Sequence, residues 1–348
     1  MRKTRVAING LGRIGRAFFR MAQGREDLEI VAVNDLGDIE NLVYLLKYDT
    51  VYGRSAFDPV AKDGAIAVGE HTVRFISERD PSTLPWSELD VDVVVEATGV
   101  FASYEKAKAH LTAGAKRVVV SAPVKDDPEA AGVTGATVLM GVNEEKLATC
   151  EVTSNASCTT NAASPLVAIL DEGIGIEQAL LNTVHAYTST QSLVDSPNPK
   201  DFRRGRAAAQ NIIPNSTGAA IAVTKAYPSL EGKFDGIAIR VPVAVGSLVD
   251  VTFVAKRAVT TEEVNEVLTT AAASPRWQGL FAVTNEQLVS SDIIGATFAS
   301  IADLSYTRVA GGTLVKVLAW YDNETSYTAT LIAHAVKAGQ SMVGTETT

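Results

Sequence analysis

VAINGLGRIGRAFFR, residues 6–20, predicts how the first half of the chain folds. An apolar run leads into Gly10, Gly12 and Gly15, which stand in G-x-G-x-x-G register, and an amphipathic segment follows. We expect Gly10 to allow a tight turn, Gly12 a close backbone approach, and Gly15 the packing of helix on strand. A glycine pattern alone is weak, because the same spacing also arises from turn chemistry.

The next apolar run strengthens this interpretation. LEIVAVND, residues 28–35, ends in Asp35, 20 residues after the last of the three glycines. A carboxylate there can accept hydrogen bonds from ribose hydroxyls and would repel a 2′-phosphate, which favours NAD over NADP; the alternative is an exposed turn residue. The pyrophosphate is then expected on the amides of Arg13 and Ile14, where the helix dipole favours an anion.

Strand and helix patterns change in the middle of the chain. Up to about residue 155, short apolar strands alternate with helical stretches, which predicts a mostly parallel sheet covered on both faces. From about residue 176 the strands lengthen, and two of them flank AGG, residues 310–312, a hairpin turn. The predicted fold class is α/β: a Rossmann-type doubly wound parallel sheet plus an α+β catalytic domain with a mainly antiparallel sheet.

Composition excludes several classes of function. The chain has 348 residues, mean hydropathy +0.11, a net charge of -9 and a pI near 5.1. An acidic chain is a poor binder of nucleic-acid phosphates, so we expect no dedicated nucleic-acid site. No signal peptide and no membrane span is apparent, which makes the cytoplasm the expected compartment.

One of only two cysteines lies in SNASCTTN, residues 154–161. Two cysteines build no disulfide framework, and no ligand spacing for a metal is present. Apolar positions at helical spacing follow Cys158, which places its thiol at a helix N-terminus, where the dipole and free amides favour the nucleophilic thiolate. The neighbouring hydroxyls can either cap this helix or handle an anion.

Histidines are scarce enough to compare one by one. His71 and His110 are expected to face solvent, and His334 lies on the terminal helix. His185 lies on the interior strand LNTVHAYT, where it is either a satisfied core histidine or the base that partners Cys158. A thiolate, a base and a dinucleotide together suit the oxidation of an aldehyde to a thioester.

Two further features point to anions. Arg240 lies inside an apolar strand, where either an internal carboxylate or a substrate phosphate would be its partner, and Thr217 with Gly218 forms a second candidate anion site. Residues 189–214 form a long loop that carries four basic residues, Lys200, Arg203, Arg204 and Arg206. This cluster is either a solvated surface or an anion or subunit contact.

The motifs, taken in order, resemble those of phosphorylating glyceraldehyde-3-phosphate dehydrogenases over nearly the whole chain. SNASCTTN and WYDNE are highly specific, whereas the glycine pattern is shared by many dehydrogenases. The others are INGLGRIGR, VNDL, LLKYD, SAPVKD, MGVN, VHAYT, NSTGAA, IRVPV and VSSDIIG. The resemblance implies an NAD-binding domain over 1–157 and 322–348 and a catalytic domain over 158–321, which includes the loop 189–214.

The resemblance also implies roles for single residues. Cys158 would be the nucleophile and His185 the base; Asn323 would hold the nicotinamide carboxamide, and Arg79 and Ser121 would lie near the cofactor. Glyceraldehyde 3-phosphate and inorganic phosphate would be bound by Thr188, Arg240, Ser157, Thr159, Thr217, Gly218 and Arg204. The family implies a homotetramer in which the long loop lines a neighbouring subunit's cofactor site.

Departures from the family pattern leave alternatives open. Ser196 replaces a leucine that is common in NAD-specific members, and the loop is one residue longer near Asn198, so use of NADP is not excluded. Erythrose-4-phosphate dehydrogenase shares the chemistry but usually departs at the motifs retained here. A semialdehyde dehydrogenase would not predict the hydroxyls around Cys158. A binding protein that uses Cys158 as a redox sensor is the alternative of a different class.

Overall fold

The computed structural model describes residues 2–341. These residues form two compact units, one of residues 2–156 with 328–341 and one of residues 157–327. The sequence analysis instead placed Ser157 and residues 322–327 in the NAD-binding domain; Met1 and residues 342–348, also placed there, lie outside the described residues. Residues 322–327 belong to the second unit because Asn323 Oδ1 accepts hydrogen bonds within it, from Gly246 N and Ser247 Oγ.

The first unit is built on a nine-stranded sheet. Its strand order is β10-β11-β9-β8-β1-β2-β7-β6-β5, and every pairing from β10 to β7 is parallel. The strands of this unit are β1 Thr4–Asn9, β2 Leu28–Asn34, β3 Tyr48–Asp49, β4 Gly53–Arg54, β5 Pro59–Lys62, β6 Ala65–Val68, β7 His71–Ile76, β8 Val93–Glu96, β9 Arg117–Val120, β10 Gly135–Thr137 and β11 Val152–Ser154. Of these, β3 and β4 pair with each other in a separate two-stranded sheet. The helices are α1 Arg13–Ala22, α2 Ile39–Lys47 and α3 Tyr104–Thr112.

Burial explains why these strands are central. All four residues of β8 are buried, as expected of a parallel strand covered on both faces. Helix α1 buries Gly15, Phe18, Phe19 and Ala22, one face at helical spacing. The predicted Rossmann-type sheet is confirmed.

The antiparallel edge, β5 to β7, is absent from the sequence prediction. β5 and β6 pair through a two-residue loop, Asp63 and Gly64, both at positive φ. Asp-Gly is a strong signal for this turn type, and it was available in the sequence. The pairing extends the sheet beyond the parallel strands.

His110, expected to face solvent, is fully buried. It shares the buried face of α3 with Tyr104 and Ala107. Its ring is satisfied there, because Trp86 Nε1 donates to Nδ1 at 3.1 Å and Nε2 contacts Glu96 at 3.0 Å. The prediction was wrong because His110, as a polar side chain on an amphipathic helix, was assigned to the solvent-exposed face of that helix.

The second unit contains a seven-stranded, mainly antiparallel sheet in the order β13-β14-β12-β15-β18-β17-β16. Only β12 with β14 and β16 with β17 pair in parallel. Its strands are β12 Ile176–Ala186, β13 Ile213–Ser216, β14 Phe234–Val241, β15 Ser247–Ala255, β16 Phe281–Thr284, β17 Ser300–Ala310 and β18 Leu314–Tyr321, and its helices are α4 Cys158–Gly173, α5 Ala219–Ala226 and α6 Thr261–Ala272. The last helix of the chain is α7, Thr325–Gln340.

The turn and the helix cap predicted for this unit are both present in the structure. β17 and β18 pair antiparallel around the AGG turn, where Gly311 and Gly312 have positive φ. Thr260 caps α6 by accepting from Glu263 N. Within residues 2–341, no helix has the length and the hydropathy that crossing a bilayer requires.

Candidate active site

The glycine turn of the first unit opens onto a cleft of about 340 Å³. Its lining brings together residues from the ends of several parallel strands, where ligands of such sheets bind. The lining residues are Asn9, Gly10, Gly12, Asn34, Asp35, Leu36, Glu78, Arg79, Pro81, Ala97, Thr98, Val100 and Phe101. Several predicted cofactor residues therefore share one cavity.

The three glycines play different parts in this cleft. Gly10 has φ +97°, and a Cβ there would lie 2.8 Å from Thr98 N; a Cβ on Gly15 would lie 2.0 Å from Gly10 O. Both positions exclude a side chain for packing reasons. A Cβ on Gly12 would meet nothing within 4 Å. The open space above Gly12, at the start of α1, fits a bound phosphate close to the backbone.

Asp35 lies at the strand end predicted for a ribose-binding carboxylate. Oδ2 accepts from Leu11 N at 2.6 Å and Oδ1 from Gly37 N at 2.8 Å. These bonds orient the carboxylate across the mouth of the glycine turn. Arg79 is exposed and lines the same cleft, whereas Ser121, at the end of β9, is not among the lining residues.

Cys158 is the first residue of α4, as the sequence predicts. Ser157 is the N-cap, and its hydroxyl accepts from Thr160 N at 3.2 Å. Ala156, just before this cap, has φ +53°, a conformation that costs a non-glycine residue strain. The chain thus turns sharply to present the thiol at the start of the helix.

His185 lies on β12 with Nε2 3.3 Å from Cys158 Sγ. The two residues are 27 apart in sequence. His185 is 3% exposed, whereas Cys158 is half-buried, so Cys158 is the more exposed residue of the pair. A nucleophile within hydrogen-bonding reach of a base is the arrangement that covalent catalysis uses.

Opposing effects act on the pKa values of this pair. Burial raises the pKa of the Cys158 thiol, and the charge of Arg240 and the Thr159 amide at the helix N-terminus oppose this rise. Burial and then the charge of Arg240 lower the pKa of His185 to about 3. The helix end therefore acts on the thiol in the predicted direction, but burial has the larger effect.

Arg240 approaches the other side of the imidazole. Its Nη1 lies 2.7 Å from His185 Nδ1 and donates to Ala186 O at 2.9 Å, while Nδ1 is also 2.7 Å from Ala186 O. Among the described residues no carboxylate forms an ion pair with Arg240, so the internal partner considered in the sequence analysis is not found. Burial lowers the pKa of Arg240, and its Nε is buried without a partner.

Arg204 is a second guanidinium that forms no ion pair with a carboxylate among residues 2–341. Its Nε and Nη2 both donate to Asn215 Oδ1, at 3.2 and 3.0 Å, and its charge acts on the pKa of Arg240. The other loop arginines differ, because Arg203 pairs with Asp201 and Arg206 with Asp195. Of these three loop arginines, Arg204 is the one suited to an external anion.

The predicted hydroxyl ligands are divided between structural and free roles. Thr159 is buried, and its hydroxyl contacts Tyr321 OH at 2.9 Å; that of Ser157 contacts Thr160. Thr188 Oγ1 contacts Thr190 Oγ1 at 3.0 Å on the accessible side. Thr217 and Gly218 precede α5, where Gly218 offers no side-chain cap to the helix amides.

Asn323 is 6% exposed, and its orientation is set by the bonds that Oδ1 accepts from Gly246 N and Ser247 Oγ. This arrangement leaves the amide NH₂ as the group that can donate to a ligand. Among the described residues, no cluster of three or more His, Cys, Asp or Glu side chains could hold a metal ion.

Tyr321 is a site residue that the sequence analysis missed. It is fully buried, its hydroxyl contacts both Thr159 and Thr183 at 2.9 Å, and its ring lies edge-on to His185 at 6.0 Å. The signal was the period of β18, in which Val315, Val317, Ala319 and Tyr321 alternate as buried positions. Tyr321 connects the helix of the nucleophile to the strand of the base.

The chain matches known proteins over most of its length. Residues 4–104 match the family model described as glyceraldehyde 3-phosphate dehydrogenase, NAD binding domain, and residues 157–323 match the C-terminal domain of the same family. Among similar proteins, glyceraldehyde-3-phosphate dehydrogenase of Streptomyces coelicolor is 46% identical over 97% of this chain and 99% of its own length. Glyceraldehyde-3-phosphate dehydrogenase 1 of Streptomyces avermitilis has the same identity and coverage, and glyceraldehyde-3-phosphate dehydrogenase 2 of Streptomyces arenae is 45% identical with that coverage. With an NAD-binding domain and a catalytic domain that both match, this chain belongs to the glyceraldehyde-3-phosphate dehydrogenase family.

Proposed function

We propose that the protein oxidises glyceraldehyde 3-phosphate and phosphorylates the product to 1,3-bisphosphoglycerate, with reduction of NAD, in glycolysis or gluconeogenesis. The observation that carries this proposal is the 3.3 Å contact between Cys158 Sγ and His185 Nε2 at the start of α4. A covalent thioester needs a nucleophile with a base in reach, and this is such a pair.

Cys158 attacks the aldehyde carbon and forms a C–S bond, while its proton passes to His185 Nε2 and on to the new alkoxide. This gives a hemithioacetal. His185 then takes the proton of the hemithioacetal hydroxyl as the carbon is oxidised, which leaves a thioester. For Nε2 to accept a proton, Nδ1 must carry one, and Ala186 O at 2.7 Å is its acceptor.

Inorganic phosphate then attacks the thioester carbon. The C–S bond breaks, the acyl phosphate leaves, and the sulfur of Cys158 recovers a proton from His185. The amides at the N-terminus of α4 are suited to hold the developing oxyanion. Product release restores the resting thiol and imidazole.

Arg240 and Arg204 are assigned to the phosphates, because both guanidiniums lack a carboxylate partner among the described residues. Thr188, Thr217 and Gly218 are assigned to the same anions through their accessible positions. Ser157 and Thr159 are assigned with them as predictions, and the hydroxyls of all four of these Ser and Thr residues also have a partner within the protein.

NAD binds in the family's NAD-binding domain, and when bound it accepts the hydride that leaves the substrate carbon. The open space at Gly12 and the Asp35 carboxylate fit a dinucleotide. The amides of Arg13 and Ile14, in the first turn of α1, stay predictions as pyrophosphate donors. Arg79, Ser121 and Asn323 stay predictions as cofactor ligands. Ser196, on the exposed loop, leaves use of NADP as a property to be measured.

The alternatives differ in what happens at Cys158. Erythrose-4-phosphate dehydrogenase and a redox-sensing binding protein are not favoured by the family match. The second would use oxidation of the same Cys158, a half-buried residue, and would show no sustained turnover.

A homotetramer in the cytoplasm is part of this proposal. Support for assembly comes from four apolar side chains on or beside the loop 189–214 that are largely exposed in one chain: Leu193 at 81%, Val194 at 69%, Phe202 at 85% and Ile212 at 71%. Large apolar side chains exposed on a single loop are expected where another chain binds.

The test is reduction of NAD, followed by absorbance, with glyceraldehyde 3-phosphate in the presence and absence of inorganic phosphate. Sustained turnover only with phosphate is expected. A burst of about one equivalent that stalls at every phosphate concentration would contradict the assigned phosphate chemistry. The same assay with erythrose 4-phosphate measures selectivity for the substrate, and with NADP it measures selectivity for the cofactor.

A further inference from the structure

A buried carboxylate lies beneath the dinucleotide cleft without lining it. Glu96, the last residue of β8, is 1% exposed, yet its carboxylate carries at least four hydrogen bonds. Oε2 contacts Asn9 Nδ2 at 2.6 Å and His110 Nε2 at 3.0 Å; Oε1 contacts Thr98 N at 2.8 Å and also Thr98 Oγ1.

The direction of these bonds follows from the chemistry of Trp86. An indole N–H only donates, so the bond from Trp86 Nε1 requires a lone pair on His110 Nδ1. The proton of the neutral ring is then on Nε2 and points at Glu96. Asn9 Nδ2 and the Thr98 amide are donors as well, so the carboxylate accepts on both oxygens.

Two partners of Glu96 line the cleft, and each orients others. Asn9 Oδ1 accepts from Asn34 Nδ2 at 2.7 Å, and Asn34 in turn is bonded to both the amide and the carbonyl of Glu78. Thr98 Oγ1 accepts from Val100 N at 3.0 Å. All five, Asn9, Asn34, Glu78, Thr98 and Val100, line the cleft.

From this network we infer that Glu96 is a positioning residue for NAD: it holds the wall of the cleft in its binding geometry through Asn9 and Thr98. The inference rests on the binding of NAD in this cleft, which the proposed function also requires. Binding of a dinucleotide costs less conformational entropy when the side chains of the cleft are already held in their binding geometry. A network with every donor and acceptor used is rigid, whereas one lost acceptor leaves a buried donor without a partner.

The variant Glu96→Gln tests this with little change in shape. The NH₂ group of glutamine cannot accept a hydrogen bond. It would have to face two donors, either Asn9 Nδ2 and His110 Nε2 or the amide and hydroxyl of Thr98. We expect the Kd for NAD, measured by calorimetry, to rise at least tenfold, while kcat at saturating NAD changes less than threefold. The KM for glyceraldehyde 3-phosphate should be unchanged.

A matched control separates positioning from loss of stability. Tyr104→Phe removes a buried hydroxyl that bonds Thr137, on the same helix as His110 but away from the cleft. It should lower the melting temperature of the NAD-free protein while the Kd for NAD stays within twofold. A Kd for Glu96→Gln within twofold of wild type, or a rise in Kd matched by the control, would overturn the inference.

His110→Leu is the second variant if Glu96→Gln does not fold. It removes one donor to the carboxylate and should raise the Kd for NAD about fivefold; an unchanged Kd again contradicts positioning. The proposed function fails separately: a wild-type protein that binds NAD in calorimetry but shows no phosphate-dependent turnover leaves this inference standing.

Discussion

Arg240 Nη1 lies 2.7 Å from His185 Nδ1, on the side of the imidazole opposite Cys158. A guanidinium is always a donor, so this contact favours the tautomer whose proton is on Nε2, while the base needs its proton on Nδ1. An anion that draws Nη1 away would leave Nδ1 free to donate to Ala186 O. The substrate phosphate and the base are therefore coupled through one side chain.

The first prediction concerns this coupling. Arg240→Leu removes the anion site and one neighbour of Nδ1, so kcat/KM for glyceraldehyde 3-phosphate should fall about 10³-fold, or about 4 kcal/mol. Turnover of unphosphorylated glyceraldehyde should fall far less. Arg203→Leu, in which the lost arginine was paired with Asp201, is the control and should change kcat/KM less than threefold. An equal loss for both substrates would contradict the assignment of Arg240 to phosphate.

The second prediction concerns the base. His185→Gln should slow both NAD reduction and the alkylation of Cys158 by iodoacetamide at pH 7 by about 10² to 10⁴-fold, the usual range for a lost general base. Alkylation is read at each cysteine by mass spectrometry. Cys150, whose pKa burial also raises, provides the internal reference. If Cys158 and Cys150 of the wild type react at the same slow rate, the thiol is not activated by His185.

The third prediction concerns pH and stability. Burial lowers the pKa of His185 and of His334 to about 3 in the folded chain, against about 6.5 when unfolded. Below pH 6.5 the unfolded chain takes up protons that the folded chain does not, so stability falls as the pH falls toward 3, by about 1.4 kcal/mol per pH unit for each ring. Urea unfolding of the NAD-free protein at pH 7, 6 and 5 measures this slope.

His334→Gln isolates one of the two rings. His334 contacts Thr153 Oγ1 at 2.7 Å and Asn155 Oδ1 at 3.1 Å, and glutamine retains a donor and an acceptor without titrating. The slope between pH 6 and 5 should become shallower by about 1.4 kcal/mol per pH unit. An unchanged slope would show that His334 is protonated in the folded chain.

The fourth prediction concerns the choice of cofactor. Asp35→Ala removes the acceptor of Leu11 N and Gly37 N and the charge that opposes a 2′-phosphate. The Kd for NAD should rise at least tenfold and the preference for NAD over NADP should fall, as kcat/KM for both cofactors will show. Asp38→Ala, which removes only the cap of α2, should leave that preference unchanged.

The fifth prediction concerns assembly. Phe202→Ser, at the most exposed large apolar side chain, should shift the protein from four copies to smaller species in sedimentation velocity experiments. Val60→Ser, at an exposed apolar position of the first unit, is the control and should leave the mass unchanged. A wild type that sediments as a single chain would contradict the homotetramer.

The sequence by itself determined the local features. The glycine turn, the helix that begins at Cys158, the Thr260 cap and the AGG hairpin depend on residues a few positions apart, which backbone geometry and hydrogen bonding relate directly. The nucleophile and the base were also predicted from the sequence, because a cysteine at a helix start, a histidine on an interior strand and a dinucleotide motif suit one chemistry, and the family resemblance implies the same two roles.

The tertiary structure alone decided what depends on distant neighbours. The burial of His110 was not predicted because the hydrogen-bond partners of its ring, Trp86 and Glu96, lie in two other segments of the chain. The raised pKa of Cys158 follows from burial, which no local pattern reports, and the contact of Arg240 with Nδ1 follows from the pairing of β12 with β14. Desolvation and hydrogen bonding across strands are properties of the packed chain, and the same neighbours that bury these groups set their protonation and their orientation.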